Sequence, residues 1–166
     1  MPGVIANAST LITLASIGHL GLLREFHEKI TIPPAVWREV VVEGGSRPGA
    51  LEVKKAREAE WIEVQAPKNK HLVKSLQRDL DEGEAEAIAL AVERKADVIF
   101  LDEADARRVA DIYGLHKTGV IGLLVRAKQE GKISSLKDEL NRLREEAKFW
   151  IDDRLYEQVL KEVGEL

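Results

Sequence analysis

The sequence predicts an α/β fold: a three-layer α/β/α sandwich around a parallel sheet of four or five strands. Two observations predict it. Short apolar runs at residues 4–6, 29–32, 61–64 and 97–101 recur between longer helical patterns, and strands that alternate with helices are the signature of parallel βαβ units. Two of those runs also end alike, with Asn7 following Val4-Ile5-Ala6 and Asp102 following Val98-Ile99-Phe100-Leu101. Side chains just beyond the carboxyl ends of neighbouring parallel strands face a common crevice. These two runs are therefore expected as adjacent central strands.

In chain order, Ser9 stands where it can cap a first helix whose apolar positions Leu11, Ile12, Leu14, Ala15 and Ile17 share a face, closed by Gly18. A helix over 19–26 leads to the strand at 29–32. Pro33-Pro34 closes that strand and opens the next helix, because a proline ring suits the first helical position. That helix carries Val36, Trp37, Val40 and Val41 and stops before Gly44-Gly45. Residues 46–49 form a turn, 50–59 a charged amphipathic helix, 61–64 a strand, 67–69 a loop and 71–78 a helix. Asp81 then opens a long helix whose alanines, with Ile88, Leu90 and Val92, suit close packing on the sheet. After the strand at 97–101, a helix over 103–113 ends at Gly114, and 115–118 is a short edge strand. From 119 on the pattern is helical, over 120–130, 136–149 and 153–163. One domain over 1–166 is expected, with a helical carboxyl third at 119–166. Ile88, Leu90, Ile99 and Leu101 are expected in its core.

Composition excludes several classes. The 25 basic and 29 acidic residues give a net charge of −4, which is not the footprint of a protein that grips nucleic acid by bulk charge. Any such contact is local. No window approaches the roughly 20 uncharged apolar residues of a membrane span, so no membrane partner is expected. The chain has no cysteine, so it holds neither disulfide nor thiolate metal site. The amino end lacks the pattern of a signal peptide, and a cytoplasmic location is expected. The histidines at 19, 27, 71 and 116 show no ligand spacing on one helix.

The chemistry-bearing residues are carboxylates and one amide: Asn7, Glu39, Glu84 with Glu86, and Asp102 with Glu103 and Asp105. Singly, each has a plain structural reading. Asp81 with Glu84, and Asp102 with Asp105, are spaced as helix capping pairs; Glu39 stands four residues before Glu43 on a charged helix; Asn7 suits a turn. Independent caps have no reason to share one edge of one sheet. Carboxylates within a few ångströms raise one another's pKa unless a cation neutralises them. Magnesium keeps several waters and binds through a few carboxylates plus substrate phosphate, and such ions serve phosphodiester hydrolysis. No Ser-His-Asp set, Gly-rich phosphate loop or zinc helix competes. A receiver domain would need an acidic pair after the first strand, which Ala6-Asn7-Ala8 lacks.

Five segments carry a resemblance: residues 4–12 (VIANASTLI), 32–36 (IPPAV) with Glu39, 81–91 (DEGEAEAIALA), 101–107 (LDEADAR) and 118–124 (TGVIGLL). They look like the PIN domain, in the right order over nearly the whole chain, and more closely like a prokaryotic branch of predicted nucleic-acid-binding proteins. The resemblance implies a ribonuclease dependent on Mg²⁺ or Mn²⁺, commonly the toxin of a type II toxin-antitoxin pair, with RNA as substrate and an antitoxin protein as partner. Carried over by position, it implies Glu39, Glu84 and Asp102 as catalytic residues and Asn7, Glu39, Glu84, Asp102 and Asp105 as metal ligands. Ser9, Arg107, Lys117 and Thr118 fall on the substrate side, with Arg107 or Lys117 positioning the RNA backbone. The sequence departs from the family pattern at Asn7, where an aspartate is ordinary and a neutral carbonyl oxygen binds a hard cation less strongly. That departure keeps a second class in view, a PIN-like module that binds RNA or protein without turnover.

Trp37 and Trp61 sit among apolar neighbours and are expected in the core. Phe149-Trp150-Ile151 is different, since three consecutive large apolar residues cannot all face inward from one helix. A helix–helix junction or a partner surface is expected there, with a homodimer favoured over an antitoxin groove.

Overall fold

The structure, a computed structural model, describes residues 3–166. Five strands, β1 (Val4–Ala6), β2 (Ile30–Ile32), β3 (Ile62–Val64), β4 (Val98–Phe100) and β5 (Lys117–Thr118), form a parallel sheet in the order β3-β2-β1-β4-β5. β1 and β4 are the expected central neighbours, in the register Val4 to Val98, Ile5 to Ile99 and Ala6 to Phe100. From β1 the chain moves outward through β2 to β3, then returns to β4 on the other side of β1. The crevice beyond the carboxyl ends of β1 and β4 is thus the switch point of the sheet, the place where ligands bind in open α/β folds.

The period of two along each strand sorts the side chains into two cores. Val4, Ala6, Ile30, Ile32 and Phe100 join the cluster under α1 (Ala8–Ser16), α2 (Gly21–His27), α4 (Ala50–Glu58), α8 (Val120–Gln129), α9 (Leu136–Glu145) and α10 (Asp153–Glu162). Ile5, Ile99 and Leu101 join the other, under α5 (Lys70–Leu76), α6 (Glu82–Arg94) and α7 (Ala104–Ile112). Strands buried on both faces read as continuous apolar runs, which is why the central β1 and β4 lack polar alternation. Ile88, Leu90, Ile99 and Leu101 are all fully buried, as expected. The alanines at 85, 87, 89 and 91 are buried too and let α6 lie close to the sheet.

Three local expectations change. The helix over 34–43 is α3 (Pro34–Trp37) followed by a π-helical turn, Arg38–Val42, in which the Glu43 N–H donates to the Arg38 carbonyl at 2.8 Å. It ends at Gly44, where a Cβ would lie 1.9 Å from the Val40 carbonyl oxygen. The helix over 136–149 stops at Glu145, because Lys148 takes φ +54° and the Phe149 N–H turns back to the Leu143 carbonyl at 2.9 Å. Ser9 does not cap the first helix. α1 begins at Ala8 with Asn7 in the capping position, and Ser9 lies inside its first turn.

Candidate active site

A cavity of about 390 Å³ opens at the switch point, lined by Asn7, Ser9, Glu39, Asp79, Asp81, Glu84, Glu103 and Asp105 with Ala8 and Ala104. Its polar wall is almost entirely oxygen, and no lysine, arginine or histidine lines it. Each wall comes from a different element, so the sheet edge is what assembles it.

β1 delivers Asn7. Its N–H donates to the Phe100 carbonyl at 3.2 Å, which extends the β1–β4 pairing by one residue and fixes where the side chain begins. Asn7 is 4% exposed, yet its side chain neither caps α1 nor enters any other hydrogen bond among the described residues. Gly83 brings the start of α6 close to it, since a Cβ on Gly83 would lie 3.6 Å from Asn7 Oδ1. One turn further, Ser9 Oγ is buried with no hydrogen-bond partner. Buried polar groups without partners are costly and rare in proteins, and they point to a missing ligand or water.

The amino end of α6 supplies Glu84. Asp81 and Glu84 do form a capping box, with the Glu84 N–H donating to Asp81 Oδ1 at 2.8 Å and the Asp81 N–H to Glu84 Oε1 at 3.2 Å. The box leaves Glu84 Oε2 without a hydrogen bond among the described residues, so capping and ligand binding are compatible. Glu86 is turned elsewhere, its Oε1 accepting the Ala35 N–H at 3.0 Å to hold α3 against α6. Glu84 is thereby the acid of the pair that lines the pocket. Glu39 stands on the π-helical turn, a feature found often at functional sites.

The carboxyl end of β4 behaves differently from its expectation. Asp102 does not line this cavity. Its Oδ2 accepts the Thr10 hydroxyl at 2.9 Å and its Oδ1 accepts the Val120 N–H at 3.0 Å, so it caps α8 rather than α7. The expected capping pair with Asp105 is not made: α7 has Glu103 in the capping position without a side-chain bond, and Asp105 pairs with Arg108 at 3.0 Å. Glu103 and Asp105 face the pocket instead. Arg107, Lys117 and Thr118 line an adjoining groove, on which Asp102 also borders. Asp79, at the loop before α6, was not singled out in the sequence, and only its place two residues before a cap hinted at it.

Electrostatics single out the three expected acids. Burial raises the Glu84 carboxyl above its ordinary pKa, the Asp81 N–H bond opposes this, and the charges of Asp81, Glu103 and Glu39 add to it. Glu39 is raised by partial burial and then by Asp81 and Glu43, against Arg47. Asp102 is raised by burial, against the Val120 N–H, the Thr10 hydroxyl and Arg107. Carboxylates raised in this way within a cleft are the pattern by which candidate functional sites are recognised, and of the three, Glu39 and Glu84 line the cavity.

Among the described residues, no group of three or more histidine, aspartate or glutamate side chains is placed to hold a metal ion. The donors nevertheless fit a hard cation. They are carboxylate, amide and hydroxyl oxygens around an open cavity rich in acidic residues, and magnesium needs only one or two carboxylates because it retains water.

A family model described as PIN domain matches residues 3–165. No curated protein matches the chain.

Proposed function

The chain belongs to the PIN-domain family, and on that premise we propose that it is an endoribonuclease that hydrolyses RNA phosphodiester bonds with Mg²⁺ or Mn²⁺. PIN domains generally use divalent metal ions, and the family suggests nuclease-type function on nucleic acid. The observation that carries the reading is the pocket at the switch point, where Ser9 Oγ is buried without a protein partner and Asn7 makes no cap bond, beside Glu39 and Glu84.

Asn7 Oδ1 with the carboxylates of Glu39 and Glu84 would hold the ion. The chemistry supplied by an ion held there would be a bound water of lowered pKa as nucleophile and charge stabilisation at the leaving oxygen. The remaining work falls to protein groups. Ser9 Oγ has a proton to donate to a phosphate oxygen. Asp102 is a positioning residue, since its bonds to Thr10 and Val120 fix the turn that carries Glu103 and Asp105. Arg107 and Lys117, across that turn, meet the RNA backbone beyond the scissile bond.

Within this reading the biological role we propose is the toxin of a type II toxin-antitoxin pair, acting in the cytoplasm. The neutral Asn7, in place of an acid, favours a second reading in which the pocket binds RNA without turnover. Incubating a mixed RNA pool with the protein in Mn²⁺, in Mg²⁺ and in EDTA separates the two. Fragments that form only with metal support the nuclease, and intact RNA retained by the protein in every condition supports the binding module. Growth arrest on induced expression, lost in Glu84→Gln, supports the toxin role.

A further inference from the structure

Residues 146–152 join α9 to α10 without regular structure, yet the chain is braced on both sides of Trp150. The Phe149 N–H donates to the Leu143 carbonyl at 2.9 Å, and the Phe149 ring packs partly buried on the core. Ile151 is 5% exposed, and Arg144 Nη2 donates to its carbonyl at 2.8 Å and to Asp153 at 3.1 Å. Trp150, between these anchors, is 82% exposed. The loop is tied down and the indole still faces water, so the exposure follows from how the neighbours are held. With Leu155, also exposed on the same groove, Trp150 forms an apolar patch rather than a lone surface residue, the kind of feature that interaction sites present.

The indole stands on the wall of a groove of about 440 Å³ that also carries Arg107, Lys117, Thr118 and Gly122. Asp102 borders the groove and the next residue, Glu103, lines the acidic pocket, so one short turn separates the two cavities. Lys117 pairs with Asp111, and Arg107 Nη1 donates to the Leu101 carbonyl at 2.7 Å. The other guanidinium N–H groups of Arg107 make no protein hydrogen bond among the described residues. The Asp102 carboxylate, the acid nearest the groove floor, is occupied by Thr10 and Val120.

Resting on the ribonuclease reading above, we propose that Trp150 is a stacking platform for an unpaired base of single-stranded RNA whose backbone runs past Lys117 and Arg107 into the acidic pocket. An aromatic face beside basic side chains is how single strands are held without sequence readout, and here Arg107 and Lys117 share the groove with Trp150 and the apolar Ile121, Phe149 and Leu155. Inside a duplex each base is stacked on its neighbours and offers no free face, so the platform favours unpaired RNA. Continuity with the acidic pocket and the two cations favour RNA over a second copy of this chain as the occupant.

The test is binding of a fluorescent single-stranded RNA of about twelve nucleotides, within the site sizes of single-strand binders, to the protein in EDTA. Trp150→Ala is expected to weaken binding roughly tenfold or more, and Trp150→Phe less. Lys117→Gln is expected to lower the salt slope by about 0.7, the loss of one phosphate contact, while Trp150→Ala leaves the slope unchanged. Tryptophan emission should fall on binding in the parent and not in Trp150→Phe, a signal that a structural role for Trp150 would not produce. A blunt duplex should bind the parent and Trp150→Ala equally. Single-strand affinity of Trp150→Ala within about twofold of the parent overturns the proposal, as does a parent that binds no single strand. A change from dimer to monomer in Trp150→Ala with affinity unchanged also overturns it and assigns the indole to a second copy. Because binding is read without cleavage, the two readings fail separately: Trp150-dependent binding without cleavage in Mg²⁺ or Mn²⁺ sinks only the nuclease, and metal-dependent cleavage with Trp150-independent binding sinks only the platform.

Discussion

The Thr10 hydroxyl donates to Asp102 Oδ2 at 2.9 Å, joining the first turn of α1 to the end of β4 across 92 residues of sequence. On its other oxygen Asp102 takes the Val120 N–H, and a Cβ on Gly119 would lie 2.3 Å from that oxygen. One buried carboxylate thus fixes α1, the β4 turn and the start of α8 together. This explains how Glu103 and Asp105 are held at the pocket although neither caps a helix.

Thr10→Val keeps the shape of a fully buried residue and removes its donor. Hydrogen bonds to charged groups are worth about 1.5 to 3 kcal/mol, and that range is the expected loss of stability, with Thr10→Ser close to the parent. Urea unfolding of the three proteins measures it. Equal midpoints would mean that the contact does not hold the site together.

Asn7→Asp places a charge at a buried position beside Glu84. Without metal it should cost more than about 1 kcal/mol. Divalent ion should then raise the melting temperature of Asn7→Asp by more than it raises that of the parent, since a carboxylate binds a hard cation better than an amide. Equal response to Mg²⁺ or Mn²⁺ in both proteins would place Asn7 outside the ion site.

The raised Glu84 pKa fixes the sign of a pH effect. Folding raises the pKa above its unfolded value of about 4.3, so the folded state holds the proton more tightly. This contribution is fully present below the unfolded pKa and is lost as pH rises through the folded one. The melting temperature of the metal-free parent, relative to Glu84→Gln, should therefore fall as pH rises from about 4 towards neutrality. A difference that grows with pH would reverse the assignment.

Glu165 accepts the N–H groups of Leu136 at 2.6 Å and Lys137 at 3.1 Å, and meets Lys128 at 3.5 Å. It caps α9 from 29 residues away. Glu165→Ala should cost about 1 to 2 kcal/mol and speed amide exchange in the first turn of α9, while RNA cleavage stays near the parent level. Unchanged exchange would show the cap to be dispensable.

The features legible in the sequence are those that local periodicity determines. Val4-Ile5-Ala6 and Val98-Ile99-Phe100 had to be buried strands, and the spacing of Asp81 and Glu84 had to be a capping box. Asn7, Glu39, Glu84 and Asp105 meet at one sheet edge because parallel topology leaves them nowhere else to go. The partners of Asp102 were not legible, because Thr10 and Val120 reach it only through the tertiary fold and nothing local marks them. Asp79 joins the pocket through a loop whose path no periodicity reports. The split at residues 149–151, with Ile151 buried and Trp150 exposed, depends on an early helix stop set by Lys148 at positive φ, a conformation that the lysine itself does not announce.

On the proposal above, the pocket of Asn7, Glu39 and Glu84 cleaves RNA with a divalent ion. Single-turnover cleavage of one RNA in Mn²⁺ by the parent and by Glu39→Gln and Glu84→Gln, each confirmed as folded, tests it most directly. Cleavage by the parent should be abolished by EDTA and reduced by at least about 100-fold in each variant. Cleavage by Glu84→Gln at the parent rate would contradict it.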